Sequence, residues 1–464
     1  MIASMQDPKW YPFLPEGWRM ARVKTAIESF DSGVWGEDPY DDDTSTPVIR
    51  SNELDEGGTW RVTTPALRLL SPSEKGKARL REGDLLIVKS SGSYTHIGKT
   101  AVVTKEIEDL GSCFSNFTGR IRVLPYRTNS KFLWYFLNNS PGRDQLFYYG
   151  TTTTGLINLS AANIGVGVLA LPPLPEQQRI AAYLDASCAA IDAAVAAKRR
   201  QLETLDALRK SIIQRAVTRG ISARVALEST GNAWMEQIPR GWKLVCLKRI
   251  AEIQGGLTLG KQYEGPLIER PYLRVGNVQD GHLDLADVSV IELPASVAVS
   301  VELSSDDVLM TEGGDLDKLG RGYLWKGEIA GCLHQNHIFA VRCFLHKLKP
   351  MFLAYVTAAK YGRDYFEATG KKTTNLACTN ATKVGEFPIP LPPLTEQEAI
   401  CVHLDEKLGE LKGLVTGIES QIVTLTSYRK SLIHECVTGQ RRVTDEDVRR
   451  AGHSERSQPT ERRA

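Results

Sequence analysis

The side chains in this sequence that could carry out chemistry are few and scattered. The segment "HQNH" (residues 334–337) offers two imidazoles to a metal, but no further ligand clusters near it and its surroundings favour the start of a strand. The acidic run "YDDDTS" (residues 40–45) offers carboxylates to a divalent cation, although a solvated turn is the simpler interpretation. We therefore expect no metal site.

Familiar catalytic motifs are also missing from the sequence. It contains no G-x-x-x-x-G-K-[ST] phosphate loop, no H-E-x-x-H zinc helix, no G-x-S-x-G nucleophile elbow and no [DN]-P-P-[FY] tetrapeptide of an amino-methyltransferase. The phrase "GVGVLA" (residues 165–170) is not followed by a helical pattern, so it indicates a strand rather than a dinucleotide loop. The sequence thus predicts no catalytic residues and favours a binding protein.

Composition sets broad limits on the class of protein. The 464 residues correspond to roughly three folding units at about 150 residues each. A net charge of +2 neither requires nor excludes a nucleic-acid partner, because such binding needs a local basic face. The eight cysteines form no C-x-x-C pair, which favours a reduced, cytosolic protein. No apolar signal core and no run of about 18 apolar residues is present, so we expect no membrane span.

Internal repetition dominates the sequence. Residues 171–219 align with residues 391–439 without a gap, and roughly 19 of the 49 positions are identical. Both copies open on the same phrase, "LPPLPEQ" and "LPPLTEQ". Weaker matches extend upstream, where "KFLWYFLNNSPGRD" aligns with "MFLAYVTAAKYGRD". The chain is therefore two diverged halves, each a variable globular block followed by a more uniform helical block.

The two helical blocks carry a heptad repeat of apolar residues. Such a repeat, sustained for about five heptads, predicts two coiled-coil helices of about 65 Å each, although ordinary long core helices remain an alternative. Polar residues Lys198, Arg209 and Arg429 interrupt the seam and could fix its register. The predicted seam residues are Leu184, Ile191, Val195, Leu202, Leu205, Ile212, Leu404, Leu411, Val415, Ile418, Ile422, Leu425 and Leu432.

The repeated phrase at the start of each helical block has a structural interpretation. Paired prolines continue neither a strand ladder nor a preceding helix, so they form a stiff joint. Thr395 with Glu398 matches a capping box, and Glu176 and Glu396 place negative charge in the first helical turn. We assign the phrase no chemistry.

The globular blocks contain short apolar runs bounded by Gly, Pro, Asp and Ser, which is typical of short strands and turns. One amphipathic helix is expected in each, around residues 131–138 and 350–359. The predicted fold class is α/β (α+β), with two strand-rich mixed domains joined by two long antiparallel coiled-coil helices in a pseudo-twofold repeat. The predicted segments are a first globular domain (1–170), a first helical block (171–219), a linker (220–237), a second globular domain (238–390), a second helical block (391–440) and a disordered tail (441–464).

The order of these segments resembles the specificity subunit of a Type I restriction-modification enzyme. The resemblance covers nearly the whole chain except the tail. It rests on "LPPLPEQQRIAAYLD" and "LPPLTEQEAICVHLD" opening two heptad helices, on "GDLL" and "DDVLM" before Gly/Ser-rich turns, on "PYLRVGNVQDGHLDL" (271–285) and on "TTTGLINLSAANI" (152–164).

The resemblance implies a non-catalytic DNA-recognition subunit in the cytoplasm. Each globular block would be a target-recognition domain for one half of a split double-stranded DNA site, and the helices would be a spacer that fixes the number of unread base pairs. Two methyltransferase subunits and the restriction subunits would dock on it. The methyltransferase subunits would modify adenine at N6. S-adenosylmethionine, ATP and Mg²⁺ would bind to the partner subunits, and this chain would bind none of these three cofactors.

Polar residues on Gly-rich turns are the expected DNA contacts, because base readout and phosphate contact need hydrogen-bonding or basic side chains on projecting loops. Each could equally be a solvated loop side chain. The candidates in the first domain are Ser91, Ser93, Tyr94, His96, Lys99, Thr152, Thr153 and Thr154. Those in the second are Lys318, Arg321, Gln335, Asn336, Lys371 and Lys372.

Two alternative functions remain from the sequence. A duplicated scaffold that binds only protein would not retain DNA in a salt-dependent manner, whereas a recognition subunit would. An enzyme with its own nuclease or methyltransferase site would need motifs that this sequence lacks.

Overall fold

The computed structural model describes residues 10–11, 13–39, 45–55, 57–62, 64–153, 155–222, 224–372 and 377–456. The chain divides into two compact units. Unit 1 comprises Met1–Lys198 and Ser420–Ala464, and unit 2 comprises Arg199–Glu419. This division cuts both predicted spacers in the middle, because each long helix contributes one half to each unit. Most of the acidic run, residues 40–44, lies outside the described residues.

Unit 1 is rich in short strands. They are β1 (Arg19–Arg22), β2 (Ile27–Ser32), β3 (Thr46–Ile49), β4 (Ala66–Arg68), β5 (Leu85–Val88), β6 (Ser90–Ser91), β7 (Thr100–Val102), β8 (Cys113–Phe114), β9 (Thr118–Val123), β10 (Thr151–Thr153), β11 (Leu156–Asn158) and β12 (Val168–Leu171). Its helices are α1 (Pro72–Ala78), α2 (Lys105–Asp109), α3 (Ser130–Asn138), α4 (Gly142–Tyr149), α5 (Ala161–Gly165) and the first half of α6 (Leu174–Arg219).

Unit 2 has a similar inventory. Its strands are β13 (Leu227–Asn232), β14 (Met235–Pro239), β15 (Lys243–Cys246), β16 (Ala251–Gly255), β17 (Ile268–Leu273), β18 (Val278–Gln279), β19 (His282–Leu283), β20 (Ser289–Leu293), β21 (Val308–Thr311), β22 (Gly313–Gly314), β23 (Gly322–Leu324), β24 (Leu333–His334), β25 (Ile338–Cys343), β26 (Lys371–Lys372), β27 (Ala377–Cys378) and β28 (Pro388–Leu391). Its helices are α7 (Ala295–Val301), α8 (Pro350–Ala358), α9 (Lys360–Thr369), α10 (Ala381–Glu386) and the first half of α11 (Leu394–Thr438). The chain continues into α12 (Asp445–Arg456), which belongs to unit 1.

The sheets of the two units repeat one another. The antiparallel four-stranded sheet β2-β9-β5-β7 corresponds to β16-β25-β21-β23. The three-stranded sheet β4-β3-β8 corresponds to β20-β17-β24, and each of these two has one parallel pair, β3–β8 and β17–β24. A close backbone approach is also repeated. A Cβ on Gly33 would lie 2.2 Å from the Ser115 carbonyl oxygen, and one on Gly256 would lie 2.3 Å from that of Gln335. Only glycine fits at either position, which ties the main sheet to its neighbour in the same way twice.

The cores explain why the local sequences form these elements. The run "LLIV" of β5 is completely buried at the centre of its sheet, as a continuous apolar strand should be. Helix α3 packs Phe132, Leu133 and Phe136 into the same core. Helices α3 and α8 lie at the positions expected from the sequence.

The long helices pack antiparallel within each unit. In unit 1, Arg429 near the end of α11 pairs with Asp192 of α6 at 3.0 Å. In unit 2, Gly220, just after α6, lies beside the carboxylate of Glu396 in the first turn of α11. Five predicted seam residues are buried, Leu184, Ile191, Leu404, Leu411 and Leu432, and the others are half-buried, namely Val195, Leu202, Leu205, Ile212, Val415, Ile418, Ile422 and Leu425.

The glutamine that ends each copy of the repeated "LPPLxEQ" phrase is buried and holds the start of its long helix to the neighbouring loop. Gln177 accepts a hydrogen bond from the Asn129 backbone N–H at 2.9 Å, and its amide donates to the carbonyls of Arg127 and Pro172. Gln397 repeats all three bonds in unit 2. The expected capping box is wrong, because α11 begins at Leu394 and Thr395 therefore lies inside its first turn.

Two further sequence predictions are corrected. The linker 220–237 contains the hairpin of β13 and β14, continuing to Pro239. The tail 441–464 contains the helix α12, whose start is capped by Thr444 and Asp447 and whose residues Val448 and Ala451 pack against the unit 1 core. The hairpin was missed because its segment shows no clear periodicity, and α12 was missed because its residues are mostly charged, although the Thr444–Asp447 capping contacts and a few buried residues suffice to order it.

Helix α6 is the one helix in the described part of the chain whose length and apolar composition would also suit a membrane span. Its apolar residues Ile180, Leu184 and Ile191 belong to the core of unit 1. Packing within the unit accounts for their presence, as it does for core helices of ordinary proteins.

Candidate nucleic-acid interface

A buried aspartate held by a partly exposed arginine supports the main sheet of each unit. In unit 1, the Arg122 guanidinium donates to both carboxylate oxygens of Asp84, at 2.7 and 2.8 Å. In unit 2, Arg342 holds Asp307 in the same way, at 2.9 and 3.3 Å. Because such two-pronged contacts fix both side chains, the strands that precede the candidate DNA-contacting turns are held alike in both units.

A small three-stranded sheet gathers several predicted contact residues in unit 1. Strand β11 pairs with β6 on one side and with β10 on the other, so Ser91 and Thr152 both lie opposite Ile157. The sequence separates these residues by about sixty positions, and the fold places them on one sheet. Thr152 is exposed, Thr153 follows it in β10, and Thr154 lies outside the described residues.

The turn after β6 projects from this sheet. Tyr94 is 71% exposed and its ring lies 5.8 Å from that of Phe147, while His96 is exposed. Ser93 is half-buried and its hydroxyl shares a hydrogen bond with Thr95. An exposed aromatic ring beside hydroxyl and imidazole groups can offer both stacking and hydrogen bonds to a nucleic acid.

Lys99 is not part of this surface, and its prediction as a DNA contact is wrong. Its side chain is buried, with only 1% of the residue exposed, and its ammonium donates to the Leu54 carbonyl at 2.8 Å. The burial of Lys99 could not be predicted from the sequence, because a lysine after a glycine turn usually points to solvent. Here Lys99 directly precedes strand β7 and its side chain points into the protein.

The corresponding sheet of unit 2 is β22-β27-β26. Lys371 and Lys372 are exposed on β26, and Lys318 is exposed beside Asp315, with which it forms an ion pair. Gln335 and Asn336 are half-buried, and their backbone N–H groups donate to the carbonyls of Leu273 and Leu257. The peptide groups of Gln335 and Asn336 therefore help to hold the fold.

Arg321, a predicted DNA contact of the second domain, is half-buried. Its charge is among those acting on Asp280, whose carboxylate pairs with Arg209 of α6 at 2.6 Å and with Arg363 of α9 at 3.2 Å. Burial alone would raise the pKa of Asp280, but these guanidinium groups hold that pKa below its ordinary value. The cluster fastens the β18–β19 turn to the long helix.

The sequence interpretation missed a polar cleft beside the small sheet of unit 1. It is lined by Lys89, Ser32, Asn116, Asn158 and Thr151, among others. Lys89 directly follows the buried strand β5, and its ammonium donates to the Ser32 hydroxyl at 2.7 Å. A basic residue at the carboxyl end of a buried strand was the sequence signal that could have identified this cleft.

The histidines of "HQNH" do not form a metal site with other residues. His334 is buried and its Nδ1 bonds to the Val301 carbonyl at 3.1 Å, whereas His337 is exposed and pairs with Glu312 at 3.2 Å. Within the described ranges, no group of three or more His, Cys, Asp or Glu residues could hold a metal ion.

Comparison with known proteins finds similarity to one family. The family model of the Type I restriction modification DNA specificity domain matches residues 16–204. The Type I restriction enzyme StySPI specificity subunit of Salmonella potsdam is 23% identical over 436 residues, covering 92% of this chain and 90% of the relative. The EcoKI specificity subunit of Escherichia coli K12 is 23% identical over 438 residues with the same coverage. These matches support a Type I restriction enzyme specificity subunit.

Solved structures support the fold of this specificity subunit. A chain from work on complex assembly and conformational transition of the type I R-M system matches with a TM-score of 0.70 and 19% identity, covering 92% of this subunit and 98% of that chain. The HsdS subunit from Thermoanaerobacter tengcongensis matches with a TM-score of 0.52 and 18% identity, covering 93% and 99%. At this identity they inform on the fold, and the predicted fold class is confirmed.

Proposed function

We propose that this specificity subunit reads a bipartite double-stranded DNA target, with unit 1 reading one half-site and unit 2 the other. It is the sequence-recognition component of a Type I restriction-modification system. The long helices α6 and α11 would act as the spacer between the half-sites, since each of them contributes to both units. Their lengths, 46 and 45 residues, would then set the number of unread base pairs.

The observation that carries this proposal is a repeated framework with different side chains at its exposed end. The same sheet orders and the same Arg–Asp pair occur in both units. Yet the small sheet carries Thr151 and Thr152 in unit 1 and Lys371 and Lys372 in unit 2. Two readers of different half-sites require this combination, because phosphate positioning can be shared while base contacts must differ.

The proposed partners follow from the family. Type I specificity subunits work in complexes with methyltransferase and restriction subunits. We propose that two methyltransferase subunits and the restriction subunits assemble on this chain in the cytoplasm. S-adenosylmethionine, ATP and Mg²⁺ would bind to those partners, and the adenine N6 methylation and the DNA cleavage would be their chemistry.

Methylation mapping tests the proposal directly. The chain is co-expressed with a methyltransferase subunit from the same system, and modified adenines are mapped across the host genome. We expect one bipartite motif with a fixed gap. Inserting four residues after Val195 should shift the phase of the coiled coil and change or abolish modification at the original gap, while both half-sites stay the same.

Two outcomes would contradict the proposal. Absence of any protected bipartite site, together with DNA binding that does not weaken as salt rises, would favour a scaffold that binds protein only. Altered half-sites with an unchanged gap in the insertion variant would show that the helices are not the spacer.

A further inference from the structure

We propose that Lys89 of unit 1 and Glu312 of unit 2 occupy one equivalent position and decide which kind of base edge each unit accepts. Lys89 would read a guanine through its acceptor atoms O6 and N7. Glu312 would read the amino group of an adenine or a cytosine. The inference rests on the proposed DNA recognition and deepens it by naming the residue and the base class.

The equivalence of the two positions follows from their backbone bonds. The Lys89 N–H donates to the Phe117 carbonyl at 3.0 Å, and the Lys89 carbonyl accepts from the Leu159 N–H at 2.8 Å. The Glu312 N–H donates to the His337 carbonyl at 2.8 Å, and its carbonyl accepts from the Thr379 N–H at 2.8 Å.

The surrounding strands agree with this correspondence. Lys89 directly follows the buried strand β5, and Glu312 directly follows its counterpart β21. Each then leads into the small sheet of its unit, through β6 and β22 respectively. The chain thus holds the two positions by the same bonds and places opposite charges there.

Lys89 is a cation that is not used to hold the fold together. Its ammonium donates to the neutral hydroxyl of Ser32, and it forms no ion pair with any carboxylate in the described part of the chain. The adjacent carboxylate, Asp31, pairs with Arg120 instead, at 2.8 Å. Partial burial lowers the pKa of Lys89, as expected for an ammonium that has lost water without gaining an anion.

The cleft around Lys89 has the composition of a base-reading site. Asn116, Asn158 and Thr151 line it, together with the half-exposed ring of Phe117. Lysine donates to the O6 and N7 acceptors of guanine in the major groove, while asparagine and threonine can bond to neighbouring base edges. A hydroxyl partner such as Ser32 can be exchanged for a guanine oxygen without separating two charges.

Glu312, at the equivalent position of unit 2, would prefer a base edge that donates hydrogen bonds. The Glu312 carboxylate is 25% exposed and accepts from the Nδ1 of His337, itself exposed, at 3.2 Å. A carboxylate repels phosphate, so at a DNA interface it is suited to the exocyclic amino group of cytosine or adenine.

A base analogue provides a test that needs no variant. The full complex of the wild-type chain with its methyltransferase subunits is titrated with duplexes in which each guanine of the unit 1 half-site is replaced in turn by 7-deazaguanine. This analogue lacks the N7 acceptor. We expect one replacement to weaken binding roughly tenfold to a hundredfold. The same replacement should have little effect on the complex that carries Lys89→Met, because the contact is already absent there.

Variants extend the test to each unit. Lys89→Met should relax one guanine position in the unit 1 half-site during methylation mapping and leave the other half-site unchanged. Lys89→Arg should retain the guanine. Glu312→Met removes the acceptor oxygens and should relax one position in the other half-site. Lys105→Met removes an exposed charge from α2 of unit 1 and is the matched control, with no change of motif expected.

The opposing outcomes are distinct. If Lys89→Met weakens binding equally for all sequences and lowers the salt slope by about one, Lys89 contacts a phosphate and the inference is overturned. It is equally overturned if no guanine in the unit 1 half-site is sensitive to 7-deazaguanine. Failure of the wild-type complex to modify any bipartite site would instead overturn the proposed function itself.

Discussion

Units 1 and 2 share their internal supports and differ where they meet solvent. In the pairs Arg122–Asp84 and Arg342–Asp307 the aspartate is buried and the arginine is partly exposed, and both pairs support the main sheet of their unit. The position that follows the central strand is Lys89 in one unit and Glu312 in the other. The residues that the two units share therefore serve packing. The positions proposed to read bases are held in the fold by backbone hydrogen bonds, so their side chains are free to differ.

The two units also differ in how they are fastened to the long helices. In unit 2 the turn of the β18–β19 hairpin places Asp280 against Arg209 of α6. In unit 1 the residue equivalent to Arg209 in the sequence repeat, Arg429 of α11, pairs with Asp192 of α6. Unit 1 has an additional contact from Gly439, which lies against Pro15 and Trp18 and leads to α12.

The largest expected effect tests the shared support. Arg122→Met should destabilise unit 1 by about 3 kcal/mol, because it leaves the buried Asp84 carboxylate without its charge partner. Arg342→Met should cost unit 2 about the same. Hydrogen exchange in the full chain, with denaturant, separates the two units. If one variant strongly destabilised its own unit and the other variant left its own unit unchanged, the two supports would not be equivalent.

The next effect concerns the joint at the start of each long helix. Gln177→Leu removes three hydrogen bonds and leaves buried backbone groups unpaired, which should cost about 2 kcal/mol in unit 1. Gln397→Leu should do the same in unit 2. The exposed Gln201 provides a control, since Gln201→Leu should change stability very little. Equal melting temperatures for all three variants would contradict the role assigned to the glutamines.

A smaller effect should distinguish the units. Asp280→Asn should destabilise unit 2 by about 1 kcal/mol, a modest figure because solvent reaches the carboxylate. The folded pKa of Asp280 is below its unfolded value, so its contribution is present at neutral pH and is lost as pH falls through the folded pKa. Denaturation curves of the variant should therefore show a flatter acid limb in unit 2, and unit 1 should be unchanged.

The smallest effect concerns an exposed contact present in one unit. Tyr135 of unit 1 and Tyr355 of unit 2 both donate to an aspartate of their long helix, Asp185 and Asp405. Lys131 adds an ion pair to Asp185 in unit 1. Lys131→Met, which copies the residue at the aligned position of unit 2, should cost at most about 0.5 kcal/mol by thermal melting. A loss of several kcal/mol would mean that the units are supported differently.

The sequence by itself determined the duplication, the two long helices and the strand-rich blocks. An apolar repeat that persists for about five heptads can bury its apolar face only if it forms a long helix. Helices α6 and α11 both begin inside the repeated phrase. The helices α3 and α8 were also predictable, because their apolar residues recur on one face or in one compact run.

Only the tertiary structure decided which polar residues share a surface. Ser91 and Thr152 meet on one small sheet because β11 pairs with both of their strands, and no local pattern encodes that pairing. Lys99 is buried and Lys89 lies in a cleft, although the two lysines flank the same turn. The side chains of a short strand follow its pairing partners, and those partners are distant in sequence, so base-reading positions emerge only once the sheets are assembled.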